Sequence, residues 1–191
     1  MPEESSKKVG SKQIYVLVEG AVMLALALVL SRLKLYQMPA GGSINLFGYL
    51  PLFVFAVRHG VGKGMLVGAI FGFLDFIINP YFVNVVQVLL DYILAYGSLG
   101  LAGFACTLNR KFPVFNSQRV NIANVLCCLI AGCVRILFAI FSGVFFYMAG
   151  KSWSVAFIAS AAYNIPYGIV NTLLAILGII LLQPALNRLK K

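Results

Sequence analysis

The chain has 191 residues, of which 61% are hydrophobic and 10% charged, with a formal net charge of +10. Soluble domains run at roughly 45–50% apolar and 25% charged, so this composition excludes a soluble globular protein and predicts an all-α integral membrane protein with room for one helical bundle. The basic residues are scattered through short loops and do not line one face, which excludes nucleic acid as a partner and leaves the lipid bilayer as the environment.

Residues 1–12 are polar and read as an N-terminal tail, followed by a single transmembrane domain over 13–185 and a basic tail over 186–191. The first apolar run, 13–31, has no small-residue cleavage site at its end and is expected to be a retained span, not a signal peptide. Within it Ala21 and Ala25 have the small-xxx-small spacing that lets another helix approach closely, with Gly20 and Ala27 beside them. Glu19 is expected to snorkel to the interface. The second and third segments, 44–57 and 64–78, are short for a hydrocarbon core about 30 Å thick. Pro51 lies inside the second, so this part is predicted to be kinked, tilted or partly re-entrant. His59, between Arg58 and Gly60, is expected to be a solvated turn residue.

The fourth segment, 84–105, carries Asn84, Gln87 and Asp91 at i, i+3 and i+7, which places them within about a 60° arc of one helix face. A carboxylate in hydrocarbon costs several kcal/mol unless it faces protein or a wet cavity, so the stripe predicts a ligand site. Ala95, Ser98 and Ala102 continue the same face with small groups suited to close packing. Tyr92 accompanies the stripe and Tyr147 ends the fifth segment, 121–146, and both are placed to stack on a planar or cationic ligand. Arg135 lies deep in that fifth segment and is expected to pair with Asp75 of the third, which leaves Asp91 to balance an organic cation. The sixth segment, 155–183, repeats the pattern of the fourth: Ser160, Asn164, Tyr167 and Asn171 share a face that continues into Ala175 and Gly178. Pro166 would free a backbone carbonyl near such a cavity. The four cysteines, Cys106, Cys127, Cys128 and Cys133, lack metal-ligand spacing and read as small core residues, so neither metal nor cofactor is expected.

Loop charge sets the expected orientation. Of the fifteen Lys and Arg, Arg135 lies within a span, and with the N-terminus inside only Arg32, Lys34 and Lys151 fall in outer loops. The other eleven are then cytoplasmic, as the positive-inside rule requires, with an even number of spans and both termini in the cytoplasm. The loop 107–120 reads as a cytoplasmic connector, and the two polar stripes meet in the outer half of the bilayer.

The stretches EGAVMLALALVLS from Glu19, GGSINLFGYLPLFVFAVRHGVGKGMLVGAIFGFLDFIINPYFVNVVQVLLDYILAYGSLGLAGF from Gly41, and FSGVFFY with the YN pair at Tyr163 resemble the thiamine-specific S components of energy-coupling factor (ECF) vitamin transporters. The likeness covers about residues 13–183. It implies a six-transmembrane-helix bundle of the ECF S-component type with cytoplasmic termini. It also implies a subunit that captures a vitamin from outside and docks on a membrane T component driven by two ATP-binding subunits. By the same resemblance Ala21 and Ala25 match the helix 1 motif that contacts the T component, Asp91 and Tyr92 match the acidic residue and tyrosine of helix 4, and Asn164 matches the asparagine of helix 6. Three positions depart from the pattern: Ala139 stands where a histidine is expected, Tyr147 where the aromatic is usually tryptophan, and Ala159 near an expected tyrosine.

The expected function is therefore high-affinity capture of thiamine or a related heteroaromatic compound at the bacterial cell membrane, without catalysis. Asp91 would balance ligand charge, Asn84, Gln87 and Asn164 would hydrogen-bond it, and Tyr92, Tyr147 and Tyr167 would form walls. A phosphate-binding glycine-lysine motif is missing, so ATP-driven work would come from partners. An enzyme would need paired carboxylates or a histidine base. The remaining alternatives are an S component for another vitamin or precursor, such as the thiamine pyrimidine moiety or a vitamin B6-like compound, and a self-sufficient proton-coupled carrier using Asp91 directly.

Overall fold

The computed structural model describes residues 2–38, 42–81, 84–111, 121–147 and 150–188, with side chains described for all of these except 2–11, 146 and 147. Most of the 107–120 connector lies outside the described residues. Helix α1 runs Pro2–Arg32 and leads into an antiparallel hairpin of β1 (Lys34–Gln37) and β2 (Ser43–Asn45), bulged between Lys34 and Tyr36. Helices α2 (Leu50–His59) and α3 (Val61–Ile78) follow. A long composite helix, α4 (Val85–Lys111), comes next, then α5 (Ile122–Ser142) with a π-helical extension Gly143–Tyr147, and finally α6 (Trp153–Arg188).

Five of these helices are long and apolar enough to cross a membrane. The exception is α2, whose 10 residues reach only about 15 Å at 1.5 Å per residue. The short, Pro51-bearing second segment expected from sequence is thus a half-length helix. Its expected beginning at 44 is corrected, because residues 43–45 belong to the hairpin. Pro51 sits in the first turn of α2, where its missing N–H leaves no helical bond unmade. Being apolar all round, α2 is enclosed: Leu52, Phe53, Val54, Phe55, Ala56 and Val57 are all buried. All of these except Phe55 join Leu99, Ala175 and Ile179 in the main core.

Lipid is as apolar as a leucine side chain, so helices in a bilayer associate through close packing and polar contacts. Gly64, Gly68 and Gly72 make a seam of α3 that presses backbone to backbone on α4. A Cβ on Gly68 would run into the carbonyl oxygen of Tyr96, and one on Gly72 into that of Tyr92. Across the bundle, Gly132 meets Thr172, Gly143 meets Ser160 and Gly168 meets Ile136, so α5 and α6 approach equally closely.

At the end remote from the hairpin an amide chain ties three helices. Asn121 donates to Asn109 (2.9 Å), Asn109 to Asn124 (2.9 Å), Asn124 to Gln183 (3.0 Å) and Gln183 to Asn187 (2.8 Å). Asn109, Asn121, Asn124 and Gln183 each both donate and accept, which keeps these polar groups satisfied at the far end of the bundle.

Candidate functional site

Between the hairpin and helices α3–α6 lies a cavity of about 610 Å³, within the usual range for small-molecule sites. Its floor comes from the two polar stripes. On α4, Gln87 is buried and donates to Asp91 Oδ2 at 2.8 Å. Asp91 itself lies in a π-helical stretch, Leu89–Leu94. Such bulges recur at functional sites because the extra residue re-aims a side chain, and both Asp91 and Tyr92 line the cavity. Facing them on α6, Tyr167 donates to Asn164 Oδ1 at 2.6 Å, and Asn164 Nδ2 donates to the Ser160 carbonyl at 2.9 Å. The second π stretch, Gly143–Tyr147, passes beside this group, with Gly143 lining the cavity.

The hairpin forms the roof and is held from α6. Asn171 accepts the Asn45 backbone N–H and donates to the Ser43 carbonyl, both at 2.8 Å, so its side chain continues the pairing edge of β2. The Gly42 N–H donates to the Tyr163 hydroxyl at 3.1 Å, and Gly42 rests against the Tyr167 ring so closely that a Cβ there would have no room.

Of the residues expected to bind ligand, Gln87, Asp91, Tyr92, Asn164 and Tyr167 meet at this cavity. Asn84 does not. It is exposed, and its Oδ1 accepts the Val86 N–H at 2.8 Å as the N-cap of α4, so the residue that begins the stripe serves the helix end. The backbone of Tyr147 closes the second π stretch, while its side chain is outside the described residues. Ala139 and Ala159 both line the cavity, as small positions that widen it. Pro166 is on the exposed face of α6, away from the polar stripe, which corrects its expected place beside the cavity. Ala21 and Ala25 are both exposed on α1, whereas Gly20 and Ala27 turn inward.

The expected pairing of Arg135 with Asp75 is not formed. Asp75 is bound by Arg32 at 2.8 Å, because α1 ends level with the last turn of α3. Arg135 is held instead by aromatic faces, its Cζ lying 4.8 Å from the ring centroids of both Tyr49 and Tyr96. Tyr96 connects the two charges, its hydroxyl approaching Asp75 Oδ2 at 3.5 Å. Glu19 does not snorkel, and His59 is not a solvated turn residue. Glu19 forms an ion pair with Arg58 and a hydrogen bond with His59 Nε2 at 2.9 Å, all three side chains being at most 16% exposed. The short α2 ends beside Glu19 and delivers both bases to it. Asp91 is left as the acid at the cavity without an ion pair among the described residues.

Sequence reasoning missed Tyr49 and Tyr96 as parts of this site, and for Asn171 it missed the hold on the hairpin. Asn171 had a signal in the α6 stripe, whereas the two tyrosines carry no spacing that distinguishes them from an interfacial belt.

A family model described as thiamine transporter protein (Thia_YuaJ) matches residues 17–191. The thiamine transporter ThiT of Bacillus subtilis (strain 168) is 31% identical over 186 residues, covering 95% of this chain and 96% of that protein. ThiT of Lacticaseibacillus paracasei is 28% identical over 114 residues, 58% of this chain and 56% of that protein. The solved structure of ThiT from Listeria monocytogenes superposes with a TM-score of 0.78 at 26% identity, covering 92% of this chain and 98% of that one.

Proposed function

The chain belongs to the thiamine transporter family, and from that premise we propose that this multi-pass bacterial membrane protein is the vitamin-binding S component of an ECF importer, with thiamine as ligand. The observation that carries the reading is Asp91, a carboxylate lining the cavity with an amide donor and no ion pair among the described residues. A positively charged thiazolium supplies the missing charge, and Tyr92 and Tyr167 offer ring faces beside it. Gln87 and Asn164 orient the carboxylate and the opposite wall. Nothing in this arrangement calls for bond making or breaking, so the protein binds and releases its ligand unchanged.

In this reading the hairpin end faces outside and both termini lie in the cytoplasm, in keeping with the loop charges. Energy comes from a T component and two ATP-binding subunits, docked through the α1 face that carries Ala21 and Ala25. The deciding experiment is native mass spectrometry followed by calorimetric titration of the purified chain. Retention of thiamine, or nanomolar rebinding of it at one site per chain, supports the proposal. Absence of any thiamine binding, or ATP-independent thiamine uptake by vesicles containing this chain alone, overturns it.

A further inference from the structure

A second opening lies at the end of the bundle remote from the hairpin, between α4 and α5. It is a groove of about 380 Å³ and shares no lining residue with the ligand cavity. Leu101, Phe104, Leu108 and Lys111 line it from α4, at the i, i+3, i+7, i+10 spacing of a single helix face, and Cys127 and Ile130 line it from α5. Phe104 and Ile130 are more than half exposed whereas Cys127 is buried, so two large apolar side chains stand as walls over a small floor.

Apolar walls in a bilayer are met by lipid tails, and the length of these walls suits one. From Leu101 to Lys111 the helix rises about 15 Å at 1.5 Å per residue, which is half of a hydrocarbon core about 30 Å thick. The groove thus has the depth of a single leaflet. Its mouth is at the membrane surface. A Cβ on Gly103 would meet the backbone of Gly60 and Val61, and the Cys106 thiol donates to the Arg58 carbonyl at 3.7 Å, so this part of α4 is level with the α2–α3 turn.

Charge completes the match. Arg110 and Lys111, both exposed, end α4 at the mouth of the groove. Among the described residues no acid pairs with them, because Glu19 is taken by Arg58, Asp75 by Arg32, and Asp91 lines the ligand cavity. Basic pockets between membrane helices on the cytoplasmic side suit anionic headgroups. A zwitterionic headgroup would instead bring a further cation beside the two already there.

We propose that this groove binds one anionic phospholipid of the cytoplasmic leaflet, with an acyl chain between α4 and α5 and the headgroup phosphate at Arg110 and Lys111. The leaflet follows from the orientation given under the proposed function, whereas the site itself is independent of what the ligand cavity holds.

The test is native mass spectrometry of the full chain released from nanodiscs of equal parts phosphatidylglycerol and phosphatidylcholine with the same acyl chains. The unaltered protein is expected to retain one phosphatidylglycerol, in at least about fivefold excess over phosphatidylcholine. Arg110→Gln combined with Lys111→Gln is expected to bring the two lipids to equal retention, while Lys151→Gln, which removes a charge at the hairpin end, leaves the excess unchanged. Ile130→Trp, which fills the groove from an exposed position and keeps both charges, is expected to lose the retained lipid. Equal retention of the two lipids by the unaltered protein overturns the proposal, and so does phosphatidylglycerol held as before by either groove variant. Persistence in Ile130→Trp would mean that the charges hold a headgroup without the groove, which segment 112–120 is then free to fill. None of these outcomes involves thiamine, so the reading of the cavity stands or falls separately.

Discussion

Three charged side chains inside the membrane decide what the cavity accepts, and each is handled differently. Asp75 is neutralised by Arg32 at 2.8 Å, Arg135 is caged by Tyr49 and Tyr96, and Asp91 accepts the Gln87 amide without an ion pair among the described residues. A cation about 4 Å from Asp91 would gain about 4 kcal/mol at an effective dielectric of 20, before desolvation is subtracted. With a net loss of about 2–3 kcal/mol, Asp91→Asn should weaken thiamine binding by roughly 30- to 150-fold. The uncharged pyrimidine fragment should lose only about 1 kcal/mol, since asparagine retains one acceptor. Titration of both ligands against both proteins checks this, and similar small losses for the two would remove the charge argument. The stripe Gln87–Asp91 and its counterpart Asn164–Tyr167 were legible in sequence because helical periodicity fixes which residues share a face. The partner of Arg135 was not legible, since pairing across helices depends on depth, and Arg32, the last residue of α1, lies just past the apolar run, where it reaches Asp75.

At the level of elements, the cavity depends on two kinds of contact that hydropathy does not register. One is the glycine seam of α3, visible in the sequence as Gly64, Gly68 and Gly72 at steps of four but with nothing to name its partner. Gly72→Leu forces a branched side chain into the α4 backbone at Tyr92, next to Asp91. Overpacking costs typically about 1–3 kcal/mol, and here backbone must move, so a loss at or above that range is expected. Gly62→Ala is the control, since a Cβ there meets nothing within 4 Å. Thermal unfolding in nanodiscs should show a lower Tm and weak thiamine binding for Gly72→Leu, with Gly62→Ala unchanged within about 0.5 kcal/mol. The other contact is the clasp of Asn171 on the hairpin. Asn171→Leu removes both hydrogen bonds, so the roof should open more often and thiamine should leave faster, by roughly 5- to 30-fold for about 1–2 kcal/mol. Stopped-flow fluorescence should find this in the dissociation rate with the association rate little altered, and an unchanged dissociation rate would mean that the hairpin does not gate the site. The hairpin itself could not be foreseen, because its strands have four and three residues, too few for alternation to stand out.

In the proposed function the whole molecule separates two tasks, ligand capture and docking, by position. The cavity lies at the hairpin end, while the opposite end is closed by the amide chain from Asn109 to Asn187 and the Glu19–Arg58–His59 cluster. The proposed S component would therefore hold its ligand at the hairpin end and leave translocation to its partners. The surface for those partners must be exposed, and Ala21 and Ala25 are exposed on α1 while the residues that bury α1 in the bundle, Gly20 and Ala27, lie on its other face. Gly20 meets the Phe55 ring of α2, so the inner face is already fully used. Replacing Ala21 and Ala25 together with Trp should therefore leave the Tm and thiamine affinity of the isolated chain unchanged. The same replacement should abolish ATP-dependent thiamine uptake once the T component and ATP-binding subunits are added, because two bulky side chains hold the partner helix away from a surface that needs close approach. Reconstituted uptake measured beside calorimetry on the same preparation decides the matter. If affinity falls along with uptake, the alanines pack the bundle itself; if uptake survives, the partner docks on another face.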